Sequence, residues 1–391
     1  MFPTISDLTE YLFRVKFPIP VYTFGFFVAL AFISAYKVFV SEFKRKEREG
    51  LIHAFQRNEI TGLAPRPLEI AVNALLGFVL SYKLVYIIIN YKAFSVGHRE
   101  ILFSIQGNWI TGIAGSIIWG YWIYRDRKKE QLSVPRTIKK VVHPYQLMPL
   151  IVFSVGFWGF IGAKLFHLLE NWNMFIDDPV RELFSANGFT YYGGLTFGAL
   201  SYLYIGFNRG MKLVHLADIG SPGMMLAYGI GRIGCHLSGD GDWGIVNHHP
   251  KPDWLQWLPD WAWSYNFPHN VIEFGVQIKN CFGNYCYQLP FGVYPTSLYE
   301  AVICIGLFAF LWFIRRSLTI PGLMFSLYLI LNGLERFLIE QLRVNNKYKI
   351  GAISITQAEI IGLLMMLGGL TGLVIIGRNL IMYRQKASTN L

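Results

Sequence analysis

Arg232 stands where an apolar stretch gives way to glycine and aspartate: Tyr228 to Gly244 reads YGIGRIGCHLSGDGDWG. A guanidinium in a bilayer-embedded segment costs on the order of 3 kcal/mol, so it calls for an anionic partner, a route to the interface or a function. Gly231, Gly234, Gly239, Gly241 and Gly244 let the backbone turn tightly, so that main-chain N–H groups can face an anion, and Asp240 and Asp242 bring carboxylates to the same turn. Further on, NGLERFLIEQLRVN places Arg336 and Glu340 four residues apart and Arg343 three beyond, near one helical face. Cations converging in this way can hold a phosphate in a planar, bidentate grip, with a carboxylate nearby to take a proton. A structural salt-bridge stripe is the competing reading of the Arg336 segment.

These residues must be carried by membrane helices. At 53% hydrophobic and 15% charged residues, the chain lies outside the soluble range. Apolar runs near 18–40, 67–91, 107–124, 145–169, 189–207, 214–238, 295–314, 320–341 and 355–377 are mostly long enough for the ~20 residues that a bilayer core needs. The fold expected is therefore all-α, a polytopic transmembrane bundle of about nine spans. The loops at 41–66 and 125–144 are strongly basic, and 208–213, 315–319 and the C-terminus less so. With nine spans all of them fall on one side, which the positive-inside rule makes cytoplasmic, leaving the N-terminus outside. The net charge of +11 is then a cytoplasmic collar and calls for no nucleic-acid partner. Asp7, Glu10, Arg14 and Lys16 before the first run, with no small-residue cleavage site after it, predict that this span is retained.

Two adjacent span pairs repeat at a constant offset of 81 residues. Lys83-Leu84 recurs as Lys164-Leu165, Asn90 as Asn171, Phe94 as Phe175, Leu102-Phe103-Ser104 as Leu183-Phe184-Ser185, Gly107 as Gly188 and Gly112 as Gly193. Internal duplication is frequent in polytopic folds. The segment 239–294 lies on the outer side in this topology, and its WLQWLPDWAW run should rest in the headgroup layer. Cys281 and Cys286 frame CFGNYC there, where a disulfide could persist. No further ligands with zinc-like spacing accompany them, so no metal is expected.

The Gly231 to Gly244 stretch resembles the signature of the prolipoprotein diacylglyceryl transferases, Gly-Arg-x-Gly-Asn-Phe-x-Asn-x-Glu-x-x-Gly. Gly231, Arg232, Gly234 and, after a one-residue insertion, Gly244 match it. Cys235, His236 and Ser238 replace the Asn, Phe and second Asn, and Asp240 or Asp242 must stand for the Glu. Gly162-Ala163-Lys164 sits at the family's Gly-Ala/Gly-Arg, and Tyr192-Gly193-Gly194 at its His-Gly-Gly. Phe24-Gly25 resembles its Tyr-Gly, Leu298-Tyr299-Glu300 the end of its His-Pro-Ser-Gln-Leu-Tyr-Glu, and Arg336, Glu340 and Arg343 its Tyr-x-x-x-Arg-x-x-x-Glu-x-x-Arg, with Asn332 for the Tyr.

The resemblance, over roughly 145–380 and the first span, implies a bacterial inner-membrane transferase. It would move the diacylglyceryl group of phosphatidylglycerol to the lipobox cysteine thiol of a prolipoprotein signal segment, without a cofactor. Arg232, Arg336, Glu340, Tyr192 and Asp240 would then be catalytic. Gly193, Gly194, Gly234, Gly244, Arg343, Asp242 and Lys164 would hold substrate. Glu340, Asp240, Asp242 and Tyr192 all remain open as the base; a tyrosine, whose ordinary pKa is near 10, serves less readily than the family's histidine. The expected organisation is 1–66, the first span and its basic loop; 67–144, an added two-helix repeat; and 145–391, a transferase-like core that includes 239–294. The replacements at Tyr192, Cys235 and Asn332 keep an alternative alive, a weakened paralogue that binds phospholipid or lipoprotein signal segments without transfer.

Overall fold

The computed structural model describes residues 1–15, 21–90, 105–185, 188–282, 284–345, 347–350 and 353–389. In chain order its elements are α1 (Ile5–Phe13), α2 (Thr23–Arg48), β1 (Phe55–Thr61), α3 (Pro67–Ile89), α4 (Trp109–Glu130), β2 (Arg136–Val142), α5 (Met148–Glu170), α6 (Trp172–Asp177), α7 (Pro179–Phe184), α8 (Tyr191–Phe207), α9 (Leu213–Ser238), β3 (Val276–Gln277), β4 (Tyr287–Gln288), α10 (Thr296–Ile314), α11 (Leu323–Glu340), β5 (Lys347–Ile350), β6 (Ile353–Thr356) and α12 (Gln357–Thr389). The long helices α2 to α5 and α8 to α12 coincide with the nine apolar runs, although α2 extends to Arg48 and α12 to Thr389. Residues 16–20, at the start of the first expected span, lie outside the described residues. Among the described residues five helices are long and apolar enough to cross a membrane: α2, α3, α5 with its lead-in turn, α10 and α12.

The chain is mostly helical, as expected, with short strands in its connections. Among the described residues there are three antiparallel two-stranded ribbons, β1–β2, β3–β4 and β5–β6. The first joins the two basic loops, pairing Phe55 with Val142 through to Thr61 with Arg136. Ile60, Thr61, Thr137, Ile138, Val141 and Val142 are β-branched, a composition that favours extended pairing once two loops meet.

Two compact units divide the chain. The first comprises Met1–His53, Leu147–Val155 and Ala199–Leu391. Within it α9 packs against α2, α10 and α11, and α11 against α12. The start of α11 is fixed by a distant residue. Its N-cap is Gly322, at φ 86° and without a capping side chain. Asp218 of α9 supplies the cap, accepting from Gly322 N at 2.9 Å and Phe325 N at 3.0 Å. Lys46 Nζ lies 3.6 Å from the same buried carboxylate and compensates its charge. Further along α11, a Cβ on Gly333 would come within 2.6 Å of Gly362 O, so these two backbones meet through glycine.

The segment after α9 forms a small apolar cluster around Trp243, Phe267, Leu289 and Val293. Cys281 and Cys286 are disulfide-bonded. Trp254 and Trp257 stay about three-quarters exposed, at 75% and 77%.

The second unit comprises Ala54–Gln146 and Gly156–Gly198, and holds the matching parts of both repeat copies. Equivalent asparagines make equivalent bonds, and equivalent lysines make similar ones. Asn90 Nδ2 donates to Tyr86 O at 3.1 Å and Asn171 Nδ2 to His167 O at 3.0 Å, each one turn back. Lys83 Nζ donates to Gln106 O at 2.8 Å and Lys164 Nζ to Ser185 O at 3.0 Å, each reaching the connection before the next long helix. The repeat residues Phe94, Leu102, Phe103 and Ser104 lie outside the described residues.

Candidate active site

The first unit gathers its charged residues where α9, α10 and α11 end or begin. Helix α9 stops at Gly239, the left-handed C-cap at φ 66°, and the chain turns again at Gly241, φ 100°. Those turns, which a side chain would strain, carry Asp242 back toward Arg232. From α10, Glu300 points in from the first turns, fully buried. Arg336 and Glu340 come from the last turns of α11, and Arg343 follows just after it.

Glu300 is the hub. Its Oε1 accepts from Arg336 Nη1 and from Arg343 Nη1, both at 3.0 Å, and its Oε2 meets Arg232 Nε at 2.5 Å and the Tyr228 hydroxyl at 3.3 Å. Asp242 bridges Arg232 and Arg343, one through each oxygen. Glu340 Oε2 lies 3.3 Å from Arg336 Nη2, and its Oε1 accepts from Asn345 Nδ2 at 2.6 Å. Three guanidiniums thus share three carboxylates, and each of these charges is met by an opposite one within the cluster. Arg343 Nε is buried without a hydrogen-bond partner among the described residues.

Sequence reasoning placed Arg232, Arg336, Glu340, Arg343 and Asp242 together, and they are together. It did not assign a site role to Glu300, although the Leu298-Tyr299-Glu300 motif carried the signal. Asp240 makes no ion pair with the arginines among the described residues; its Oδ1 accepts from Asp242 N at 3.3 Å. The two aspartates differ electrostatically. Burial, reinforced by the nearby Asp242 charge, pushes the Asp240 carboxyl above its ordinary value. Burial also acts on Asp242, but Arg232 and then Arg343 outweigh it and hold that carboxyl below its ordinary value.

Gly234 and Gly244 each admit a close approach of a neighbouring segment. Gly234 is inside α9, where a Cβ would come within 2.8 Å of Phe27, so it admits the close passage of α2. Gly244 N donates to Tyr294 O at 2.9 Å, and a Cβ there would fall 2.6 Å from Leu342 O. Gly244 bridges to Arg343, and Ile245 N donates to Leu342 O at 2.8 Å, so this strand-like contact aims the third arginine.

Tyr192, Gly193, Gly194 and Lys164 belong to the second unit. A Cβ on Gly193 would lie 2.3 Å from Gly162 O, so the α5–α8 contact depends on that glycine; a Cβ on Gly194 would lie 3.3 Å from Gly159 O. The Lys164 ammonium also donates to Ser185 Oγ at 2.9 Å and lies 5.3 Å from the Phe189 ring centre. Tyr192 is half-buried beside Tyr191, with ring centres 5.7 Å apart.

Cys235 Sγ and the carboxylates of Asp240 and Asp242 lie within 4.8 Å of one another, a spacing that could admit a cation. Asp242 is already held by two guanidiniums, so a metal there would compete with Arg232 and Arg343. The replacement Asn332 donates to Met225 Sδ at 3.7 Å instead of joining the arginines.

Residues 110–375 match the family described as prolipoprotein diacylglyceryl transferase. The match starts in α4, earlier than the resemblance placed it, and leaves the first long helix outside. Among curated relatives, a phosphatidylglycerol–prolipoprotein diacylglyceryl transferase of Dehalococcoides mccartyi is 29% identical over 214 residues, covering 53% of this chain and 68% of the relative. A second, from Clostridium perfringens, is 26% identical over 226 residues, 54% and 72% of the two chains. The similarity to one from Staphylococcus saprophyticus is 26% over 263 residues, 65% and 82%.

Proposed function

The chain belongs to the prolipoprotein diacylglyceryl transferase family, and we propose that it transfers the diacylglyceryl group of phosphatidylglycerol to the lipobox cysteine thiol of prolipoproteins. The observation that carries this reading is the convergence of Arg232, Arg336 and Arg343 on Glu300. One carboxylate sets the spacing of three planar donors, each with further N–H groups to offer a phosphate.

In the reaction the thiolate attacks the glycerol carbon bonded to the phosphate oxygen. A C–S bond forms, the C–O bond breaks, and the phosphate leaves as glycerol phosphate carrying the bonding electrons. Charge grows on the leaving oxygen, and guanidiniums fixed in a water-poor site stabilise it without reorganising. The thiol proton needs an acceptor. Asp242 is held below its ordinary value by the arginines, which makes it a weak base, and Glu340 is paired with Arg336; Asp240 carries no such pair, is pushed up by burial, and sits at the turn where α9 ends. It is the base we assign.

We infer that the chain crosses the bacterial inner membrane nine times, the four long helices beyond the five apolar ones included, with the N-terminus and 239–294 outside and the C-terminus cytoplasmic. The exposed Trp254 and Trp257 support a headgroup-level position for that segment. The first repeat copy, within 67–144, is an addition to the transferase core, and its Lys83 has a counterpart in Lys164 but none in the arginines.

A second reading is favoured by one observation: every guanidinium of the cluster is already met by a carboxylate, so the site could hold phospholipid weakly without turning it over. Transfer of labelled diacylglyceryl from phosphatidylglycerol to a lipobox peptide by the purified protein, with complementation of a strain depleted of its own transferase, separates the two.

A further inference from the structure

Glu335 lies on α11 five residues before Glu340, about 7.5 Å deeper along the helix axis. It is 4% exposed. Beyond the neighbouring Cys304 thiol, a weak donor, neither carboxylate oxygen has a hydrogen-bond partner among the described residues. The charged and titratable groups around it are Tyr228 and Arg232 from α9, Glu300 and Cys304 from α10, Arg336 on its own helix, and Arg343 beyond it.

The three guanidiniums are matched by Asp242, Glu300 and Glu340, so an ionised Glu335 would add an unmatched negative charge at a depth where it has no donor to satisfy it. We propose that Glu335 carries a proton in the resting protein, and that its neutral form is the condition under which the arginine cluster accepts an anionic phosphate headgroup. This rests on the reading that the arginines receive a phosphate. A phosphodiester brings one negative charge to a balanced cluster; neutral Glu335 leaves that charge to the arginines, whereas ionised Glu335 opposes it. Binding is therefore linked to protonation, and affinity falls as pH rises through the ionisation of Glu335. Glu335 acts through the arginines and is a charge-balancing residue, not one that touches the reacting atoms.

The test uses the full-length protein in detergent, with short-chain phosphatidylglycerol and inorganic phosphate as probes, by calorimetry across pH. Asp240→Asn serves as background, to remove the titration of the outer carboxyl. Short-chain phosphatidylglycerol should lose up to about tenfold in affinity per pH unit over the Glu335 window, and Glu335→Gln should flatten that slope. Inorganic phosphate binding with equal affinity would reassign the ligand to free phosphate while keeping the proton linkage. Infrared spectroscopy gives an independent readout: a protonated, buried carboxyl band in the wild type that is lost in Glu335→Gln and kept in Glu335→Asp. An unchanged slope in Glu335→Gln, or a band that survives it, overturns the inference. If the phospholipid binds, and Arg336→Ala abolishes binding while Glu335→Gln keeps the slope, only the role of Glu335 fails. If no phosphate probe binds the wild type, the phosphate reading itself fails, and the infrared band alone decides the protonation of Glu335.

Discussion

Arg336 and Glu300 meet at 3.0 Å, guanidinium Nη1 to carboxylate Oε1, across the interface of α11 and α10, and the same oxygen receives Arg343 at the same distance. One fully buried carboxylate therefore fixes two arginines of different backbone origin, while its second oxygen fixes Arg232. The spacing of the cationic cluster is a property of Glu300 more than of any arginine.

Glu300→Gln is accordingly expected to harm both stability and transfer. Taking the charge from one side of a buried network leaves guanidiniums uncompensated, at a cost of roughly 3–5 kcal/mol. Thermal unfolding in detergent should show a lowered midpoint, and surviving folded protein should show little transfer. A variant with wild-type stability would mean that Asp242 and Glu340 suffice to balance the arginines.

Asp218 tests how α11 is held. Asp218→Ala removes the cap on Gly322 and Phe325 and strands Lys46, for a loss of about 3–5 kcal/mol dominated by the buried ammonium. The double change Asp218→Ala with Lys46→Met should recover much of that loss, because the uncompensated charge is gone. Chemical unfolding of the wild type and the two variants checks it; no recovery would assign the cost to the cap.

The fold was legible in the sequence to the extent that its signals are local. Apolar run length located the nine long helices among the described residues, and the i, i+4 spacing put Arg336 and Glu340 on one face. Arg343, expected on that face too, lies past the end of α11 and is set by its bridge to Gly244. The choice of Asp242 over Asp240 was not legible, because it depends on two positive-φ glycines that set the direction of the turn. Nor was the cap on α11, since Asp218 and Gly322 are 104 residues apart. The β1–β2 ribbon was hidden because its strands lie in two loops whose charge dominates their composition. Glu300 was visible as a motif residue, yet its role as hub arises only when α9, α10 and α11 converge.

The pH dependence of transfer should report Asp240. Its carboxyl is raised in the folded protein by burial and by Asp242, so the base form, and with it the rate, grows as pH rises through a window above 3.8, its ordinary value. Asp240→Asn should lower kcat by about 100-fold or more and remove that limb. Stability runs the other way: a raised folded pKa contributes stability that is present below the unfolded value and lost as pH rises through the folded one. Wild type should therefore lose ground against Asp240→Asn over that window. A rate limb that persists in the variant would move the base elsewhere.

Cysteine-accessibility labelling checks the topology. Single cysteines in 125–144 should be protected from an impermeant reagent in intact cells, and cysteines placed near Trp254 should be labelled. Labelling of 125–144 from outside would invert the arrangement and place the arginine cluster on the cytoplasmic side.

The central claim is that Arg232 and Arg336 bind one phosphate jointly. Its most direct test is diacylglyceryl transfer from labelled phosphatidylglycerol to a lipobox peptide by purified Arg232→Lys, Arg232→Ala, Arg336→Lys and Arg336→Ala. All four should fall by about 100-fold or more, with each Lys variant within about tenfold of its Ala counterpart, because a point charge does not reproduce the planar fork. Transfer at the wild-type rate by Arg232→Ala or Arg336→Ala, with normal amounts of folded protein, would contradict it and leave a structural arginine in its place.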